Sequence, residues 1–215
     1  MLSDTQIERY SRQIILPQVG GRGQAALLSA TVTIGGDDQL ATTAGRYLAA
    51  AGIGRLRVSP PLAAAIDGMT PDCQVTCLAS DAAAAVRGAA VVLCAGAAVL
   101  PCVQLHAAGV AAGVPVIFAA ATDAVGWMSA CAGTDGPCYE CLVRQLERVG
   151  SETAPLGTVV AGCMGTLLAT EAIKLVLGLR PSYVGRLVTV DVLAGDVRVT
   201  DVIKDPRCTV CAGQG

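Results

Sequence analysis

The stretch ATVTIGGDDQLATTAGRYLAAAGIGRLRV, residues 30–58, decides the fold. It opens with a β-branched run at residues 30–35, and a helical pattern follows at residues 39–51 and ends at Gly52. A second predicted strand occupies residues 55–58. A strand, a glycine-containing turn, a helix and another strand are typical of a βαβ unit, in which the two strands lie parallel. The stretch therefore predicts the start of a parallel sheet.

The same alternation continues toward the middle of the chain. Residues 90–94 and 114–119 are further apolar runs, and a helical pattern at residues 100–112 separates them. Strands this uniformly apolar are typical of a parallel sheet that helices cover on both faces. We therefore expect these two strands to be buried on both sides.

The pattern changes after residue 121. Residues 125–131, 184–192 and 196–202 are longer runs, which predict antiparallel strands, and residues 157–177 predict a helix that stops at Gly178. The prediction is thus an α/β fold with a Rossmann-like, mostly parallel sheet, helices on both faces and mixed or antiparallel C-terminal strands.

We predict a single domain over residues 1–215. Its parts are an N-terminal helical arm at 1–29 with a helix at 22–28, a Rossmann-like half at 30–121, and a C-terminal half at 122–215 that carries two cysteine pairs.

Composition and charge argue against several classes of protein. The net charge is −2 and there is no basic block, so we expect no nucleic-acid partner. Residues 1–13 lack the basic and apolar regions of a signal peptide. The most apolar stretch, residues 88–121, predicts no membrane span because four residues interrupt it: Pro101, Gln104, His106 and Pro115. Ten cysteines without a secretion signal favour thiols or metal over disulfides, and hence a cytoplasmic protein.

Two CxxC pairs are the strongest chemical signal in the chain. Cys138 and Cys141 form one pair, and Cys208 and Cys211 form the other. Four thiolates suit the tetrahedral preference of zinc and leave no open position, so the pattern predicts a structural zinc site with four cysteine ligands. The alternatives are two unrelated thiol pairs or a redox CxxC. For most of the six other cysteines we predict a place in the core: Cys73, Cys77, Cys94, Cys102, Cys131 and Cys163.

Further motifs make a family recognisable. They are RYSRQIILP at residues 9–17, YLAAAGIG at 47–54, GPCYECL at 136–142, APLG at 154–157, EAIK at 171–174 and DPRCTVC at 205–211. Together they resemble the ThiF/MoeB/HesA family of ubiquitin-activating-like proteins over nearly the whole chain. The resemblance implies a homodimer or heterodimer that uses Mg-ATP to adenylate the C-terminal glycine of a ubiquitin-like or sulfur-carrier protein. It also implies that the two CxxC pairs are zinc knuckles.

The nucleotide turn of this family departs from its pattern here. The family carries GxGGxG after the first strand, where absent side chains let backbone N–H groups approach phosphate. In this chain the turn reads Gly36, Asp37, Asp38, Gln39, so two carboxylates take the phosphate position. Negative charge there favours the helix dipole but repels triphosphate. ATP and magnesium are therefore not expected at this turn.

Other parts of the family's ATP site also differ. Residues 59–72 contain no arginine, lysine or asparagine to grip phosphate, and LCAGAA at residues 93–98 offers no aspartate for magnesium. The crossover loop at residues 148–153 offers no cysteine for a thioester. Arg12 is the one reactive residue of the family that remains. The resemblance implies that it extends into a partner's nucleotide site, and the alternative is an ordinary surface arginine.

Three functions follow from these patterns. The first is a catalytically inactive family member that binds or dimerises with an active paralogue, or holds a ubiquitin-like or sulfur-carrier protein. The second is a divergent adenylyltransferase with a rebuilt site, for which Asp37, Asp38 and Asp123 are conceivable metal ligands. The third, a dinucleotide-dependent oxidoreductase, rests on the βαβ opening alone. The small residues Gly157, Ala161 and Gly165 fit either a dimer interface or core packing, and the roles of Cys94 and Cys102 stay open.

Overall fold

The computed structural model describes residues 1–96, 99–122, 124–131, 137–146, 156–180 and 182–208. Their strands form one eight-stranded sheet in the order β3-β2-β1-β4-β5-β6-β7-β8. The strands are β1 (Thr31–Gly35), β2 (Arg55–Val58), β3 (Gln74–Cys77), β4 (Val91–Ala95), β5 (Val116–Thr122), β6 (Val125–Cys131), β7 (Arg186–Asp191) and β8 (Asp196–Asp201). The helices are α1 (Asp4–Arg9), α2 (Ser11–Ile14), α3 (Gly20–Ser29), α4 (Gln39–Ala51), α5 (Pro60–Ile66), α6 (Ala82–Val86), α7 (Val99–Ala111), α8 (Tyr139–Leu146) and α9 (Gly157–Val176).

The predicted βαβ unit is confirmed. Strand β1 pairs in parallel with both β2 and β4, so it lies between them and the chain turns to opposite sides of the sheet from this point. Helix α4 ends where expected, at Gly52, whose φ of 93° is the left-handed conformation that glycine adopts freely. In open α/β sheets, the crevice at such a switch point is where ligands bind.

Helices cover the parallel strands on both faces, as the apolar runs predicted. Along β4, Val91 and Leu93 belong to the apolar cluster that α4 and α9 complete. The alternate residues Val92 and Cys94 belong to a second cluster, with residues of α6 and α7. This alternation follows from the pleat of a strand, which sends successive side chains to opposite faces. Cys94 therefore faces α7.

The C-terminal strands are antiparallel, as predicted. Strand β5 pairs with β6, β6 with β7 and β7 with β8, all in antiparallel register. Strand β7 begins two residues later than predicted, because Val184 makes only an isolated bridge to Ala130. The fold class is thus confirmed as a mostly parallel α/β sheet with an antiparallel C-terminal part.

Several short elements, among them α5 and β3, were not predicted from the sequence. Helix α5 begins with Pro60 and buries Leu62 and Ile66, which lie four residues apart on one face. Strand β3 is only four residues long and none of its residues is fully buried, so it carries no apolar run. Alanine-rich segments and short edge strands have weak periodicity, because few side chains distinguish their faces.

The N-terminal arm is tied to the body through Asp72, ahead of β3. Its carboxylate accepts hydrogen bonds from Gln6 at 3.0 Å and from the Tyr10 hydroxyl at 3.1 Å, and it pairs with Arg9. Burial alone would raise the pKa of the Asp72 carboxyl, but these donors together hold that pKa below its ordinary value. Acid is therefore expected to weaken the attachment of the arm.

Helix α9 is a core element of the sheet's α4 side. Among the described residues it is the one helix that is long and apolar enough to cross a membrane by length and composition, with 44% of that window buried. Gly165 lets it approach α4 so closely that an added Cβ would lie 2.6 Å from the carbonyl oxygen of Leu40. The Gly165 position therefore serves packing within the chain, so it is not open to a dimer partner.

Candidate functional site

The turn at residues 36–39 lies at the carboxyl edge of the sheet, between the ends of β1 and β4. Gly36 has a φ of 121°, and an added Cβ would collide with the carbonyl oxygen of Ala95 at the end of β4. Ser59, which follows β2, donates to the carbonyl oxygen of Gly36 at 3.3 Å. The ends of three adjacent strands thus meet at this turn.

Asp38 occupies the N-terminus of α4 with its own carboxylate. This carboxylate accepts a hydrogen bond from the backbone N–H of Ala41 at 3.0 Å. It also lies directly against Gly96, where even a Cβ atom would collide with it. An N-terminal carboxylate satisfies an otherwise unpaired N–H group and complements the helix dipole. The chain's own side chain therefore takes the place that an anionic ligand would need.

The other residues that the sequence suggested for a nucleotide site do not come together in the structure. Asp37 and Gln39 are exposed beside Asp38, and Arg12 is exposed on α2. Asp123 and the crossover loop at residues 148–153 lie outside the described residues. The described part of the chain thus brings together only the turn itself and the ends of β2 and β4.

Cys138, Cys141 and Cys208 form a buried cluster, which we call the cysteine cluster. Their ligand atoms all lie within 4.8 Å of one another. The Cys138 sulfur is 3.8 Å from that of Cys141 and 3.4 Å from that of Cys208. The fold therefore brings together pairs that are far apart in sequence.

Local structure on both sides holds the cluster. Cys138 precedes α8 and Cys141 lies in its first turn, while Cys208 follows a turn in which Asp205 accepts from the Arg207 N–H at 2.8 Å. The backbone N–H of Asp205 also points at the Cys141 sulfur, 3.4 Å away. Backbone donors that point at sulfur help to orient a thiolate ligand.

The geometry of the cluster fits zinc. Tetrahedral zinc with bonds of about 2.3 Å to sulfur requires sulfurs roughly 3.8 Å apart, close to the distances found here. The fourth predicted ligand, Cys211, lies outside the described residues, so a site with four cysteine ligands stays a prediction.

An aromatic group connects the cluster to α7. Nε2 of His106 accepts a hydrogen bond from the backbone N–H of Tyr139 at 3.2 Å, and the ring stands edge-on to Phe118. His106 is only 2% exposed, and burial lowers its pKa to about 4. The structure thus places His106 in the core, next to the cysteine cluster.

Cys94 and Cys102 lie together beside the turn. Both line a cavity of about 50 Å³ whose wall also includes Gly96, Trp127 and Tyr139. The Cys94 thiol donates to the carbonyl oxygen of Cys102 at 3.4 Å. The place of the pair near the end of β4 was visible in the sequence. The cavity was not, because it depends on side chains from β6 and α8.

The prediction of a core position for most of the other cysteines is right for half of them. Cys94, Cys102 and Cys131 are buried, and Cys73 is partly buried. Cys77 on β3 and Cys163 on α9 are exposed, which corrects the expectation for these two. Cys163 lies on the outward face of the otherwise apolar α9, where a hydropathy pattern alone does not separate the two faces. Cys77 ends β3, none of whose residues is fully buried.

Curated proteins of known activity resemble this chain over most of its length. The molybdopterin-synthase adenylyltransferase of Escherichia coli K12 is 31% identical over 98% of this chain and 98% of its own. The SAMP-activating enzyme E1 of Haloferax volcanii is 30% identical over 100% of this chain and 92% of its own. The adenylyltransferase and sulfurtransferase MOCS3 of Bos taurus is 32% identical over 98% of this chain, which spans only 54% of that longer protein.

Solved structures agree on the fold. The crystal structure of PaaA has a TM-score of 0.75 at 16% identity, covering 94% of this chain and 85% of that one. The structure of E. coli MccB with ATP has a TM-score of 0.74 at 18% identity, covering 94% of this chain and 74% of that one. At this level of identity the likeness concerns the fold alone.

The family model described as "ThiF family" matches residues 62–210, which is most of the chain. The matched range contains the cysteine cluster, helix α9 and the antiparallel strands. This match and the relatives that are more than 30% identical over nearly the full length show the family. The chain belongs to the ThiF family.

Proposed function

We propose that this chain binds the C-terminal segment of a ubiquitin-like or sulfur-carrier protein. One observation carries the proposal: relatives similar over nearly the whole chain are named as activating enzymes or adenylyltransferases of other proteins. They include the sulfur carrier protein adenylyltransferase of Thermus thermophilus, 28% identical over 97% of this chain. A protein tail would reach the carboxyl edge of the sheet, where open α/β folds bind their ligands.

Two chemistries are compatible with this binding. The comparisons favour adenylyl transfer, because the relatives are named as adenylyltransferases or activating enzymes and none of them supports an inactive protein. This places the divergent adenylyltransferase ahead of the inactive subunit as far as the relatives are concerned.

The 36–39 turn favours binding without activation. Asp38 fills the N-terminus of α4, and the described residues there do not fit the phosphates of a nucleotide. Phosphoryl chemistry needs positioned cations to offset developing charge, and Asp38 adds the opposite sign. An active protein would have to hold the phosphates with other groups.

A single experiment separates these two chemistries. A sulfur-carrier protein ending in glycine is titrated into the full chain, with the same carrier lacking that glycine as the control, each with and without Mg-ATP. Calorimetry measures binding, and intact-mass spectrometry measures addition of AMP to the carrier. Binding that needs the terminal glycine supports the proposal, and AMP addition selects adenylyl transfer. Equal or absent binding of both carriers, over several carriers, would contradict the proposal.

A variant tests the role of the turn. Asp38→Gly opens the N-terminus of α4 and should strengthen binding of Mg-ATP if the carboxylate is what excludes it. Asp37→Gly is the matched control, because Asp37 and Asp38 are both exposed but only Asp38 caps the helix. Equal nucleotide affinity in the wild type and in Asp38→Gly would show that this carboxylate does not decide nucleotide binding.

The cysteine cluster and the assembly belong to the same proposal. We infer a structural zinc ion held by Cys138, Cys141, Cys208 and Cys211, in a protein that works in a reducing compartment such as the cytoplasm.

We also infer a dimer, with a second copy or an active paralogue, to which the exposed Arg12 contributes. Sedimentation of the wild type and of Arg12→Ala, alone and mixed with a paralogue, checks the assembly. A monomer under all conditions would exclude it.

A further inference from the structure

Strands β1, β2 and β3 are polar on the face of the sheet that carries α6 and α7. On the neighbouring strands the same face is apolar, and Val92, Cys94 and Val116 belong there to the second apolar cluster. No described residue of β1, β2 or β3 belongs to that cluster. Their side chains on this face lie in two paired rows: Thr31, Arg55 and Gln74, then Thr33, Arg57 and Thr76. Parallel sheets are ordinarily apolar and covered on both faces, so this polar patch calls for a physical reason.

The part of this patch on β2 and β3, which we call the polar face, is open to solvent. Arg55 and Gln74 are exposed, and Arg57 and Thr76 are half-buried. Helix α5 covers the opposite face of the sheet, where its Leu62 and Ile66 belong to the first apolar cluster. The polar face is therefore accessible to another molecule.

Arg57 is anchored by one side of its guanidinium group. Its Nη1 donates to the carbonyl oxygens of Ala85 at 3.1 Å and Arg87 at 2.7 Å, at the end of α6. Its Nε and Nη2 have no partner among the described residues, and neither nitrogen is buried. These two nitrogens point the same way in arginine and together bind a carboxylate in a bidentate manner. Because the group is already held in place, binding an anion costs little further side-chain entropy.

Arg55 places a second cation on the same face, two residues away along β2. Its Nε donates to Oε1 of Gln74 at 3.1 Å, which leaves Nη2 unused. The nearest carboxylates along the chain bind elsewhere, since Asp72 holds the N-terminal arm and Asp81 accepts from an N–H of α6. In the part of the chain that the structure describes, neither arginine forms an ion pair with a carboxylate. The polar face thus carries uncompensated positive charge in a chain whose net charge is −2.

We propose that the polar face docks an extended acidic segment of a partner protein. Alternate side chains on one face of a strand lie about 7 Å apart, and an extended peptide has the same spacing. One carboxylate of the segment binds Nε and Nη2 of Arg57, and the carboxylate two residues away binds Arg55. Two arginines without a block of basic residues suit a short acidic peptide, whereas a nucleic acid needs a wider basic surface.

This docking surface is separate from the site of the proposed function. Arg55 is the first residue of β2, so the surface extends to the amino edge of the sheet. The 36–39 turn lies at the carboxyl edge. Docking of the acidic segment is therefore independent of whether the chain adenylates a carrier.

Fluorescence anisotropy with the full chain, prepared with zinc, tests the proposal. The probe is a labelled peptide in which glutamate and serine alternate, and the control is the same peptide with glutamine in place of glutamate. We expect the glutamate peptide to bind about tenfold more tightly or better, since two charge-assisted contacts are lost with glutamine. Equal binding of both peptides would overturn the proposal. Displacement of the probe by oligothymidylate or inorganic phosphate as effectively as by unlabelled peptide would also overturn it.

Three variants locate the binding. Arg57→Lys keeps the charge but removes the bidentate group, so affinity should fall about tenfold. Arg55→Gln removes an exposed charge and should weaken binding by about two- to fivefold. Arg46→Gln is the matched control, because Arg46 is exposed on α4, on the other side of the sheet, and affinity should stay at the wild-type value.

Circular dichroism verifies the fold of each variant, because Arg57 also supports the end of α6. If Arg57→Lys does not fold, Arg55→Gln decides, since it changes only an exposed side chain. Wild-type affinity in Arg55→Gln, or an equal loss in Arg46→Gln, would refute docking at the polar face.

Discussion

The cysteine cluster and the 36–39 turn are two regions for which the resemblance to the ThiF family predicts particular residues. The cluster has the predicted residues, and the turn does not. The cluster keeps its thiols, buried and within 4.8 Å of one another. The turn carries carboxylates where the resemblance leads one to expect glycines, and one of them caps α4. The zinc ion that we propose at the cluster would stabilise the chain whether or not a substrate is bound. The one glycine that the turn keeps, Gly36, is required by the fold, because its φ is 121° and a Cβ there would collide with the carbonyl oxygen of Ala95. The fold forms without glycine at residues 37–39.

Breaking the cluster should have the largest effect on stability. Cys208→Ser removes one ligand of the zinc site that we propose, so we expect loss of zinc and of several kcal/mol of stability. The thermal midpoint should fall by roughly 10 °C or more. Elemental analysis and calorimetry measure the two quantities.

Cys163→Ser is the matched control for this variant. Cys163 is exposed on α9 and outside the cluster, so zinc content and thermal midpoint should both stay at wild-type values. Full zinc content in Cys208→Ser would contradict the assignment of Cys208 as a ligand.

The second prediction concerns the support behind the 36–39 turn. Gly165→Ala would place a Cβ 2.6 Å from the carbonyl oxygen of Leu40, in the first turn of α4, and 2.7 Å from the Cβ of Thr43. Because backbone cannot give way as a flexible side chain does, we expect a loss of about 1–3 kcal/mol. Urea unfolding measures it.

Gly162→Ala is its control on the same helix. In the part of the chain that the structure describes, no atom outside α9's own backbone lies within 4 Å of a Cβ at Gly162, so alanine should stabilise α9 by about 0.5–1 kcal/mol. Equal effects of the two substitutions would show that α9 and α4 do not approach each other as closely as the structure has them.

The third prediction concerns His106, which lies next to the cysteine cluster, and the dependence of stability on pH. The pKa of His106 is about 4 in the folded chain, below its ordinary value, so the unfolded chain binds the proton more tightly. Neutral His106 therefore contributes fully to the free energy of unfolding above about pH 6.5. This contribution decreases as the pH falls toward 4. We expect a loss of about 2 kcal/mol between pH 7 and pH 5 from this group.

His106→Gln separates this effect from acid loss of metal. Glutamine keeps an acceptor for the Tyr139 N–H and removes the chain's single histidine. Denaturant unfolding at several pH values should give a flatter profile for the variant over this range. Identical profiles would mean that His106 does not titrate as its burial requires.

How much the sequence could predict differs between these same two regions. Residues 138–141 and 208–211 predicted the cluster, because CxxC spacing reflects the geometry of metal ligands. Residues 39–51 predicted α4 with its full bounds, because its apolar periodicity and Gly52 are local signals. By contrast, the contact between Asp38 and Gly96 joins residues that follow two different strands, and no local pattern encodes it. The cavity beside Cys94 and Cys102 is likewise made by side chains from several elements.

The smallest effect is expected at the turn itself. Asp38→Ala removes the carboxylate that accepts from the Ala41 N–H, and loss of an N-cap costs about 1 kcal/mol. The cost should shrink in high salt to the extent that the charge contributes through the helix dipole. Asp38→Asn keeps the cap oxygen and should recover most of the stability, while Asp37→Ala should change little. Chemical unfolding of the three variants measures these differences. If Asp38→Ala were as stable as the wild type, the carboxylate would not be holding the N-terminus of α4, and the turn would be open to an anionic ligand after all.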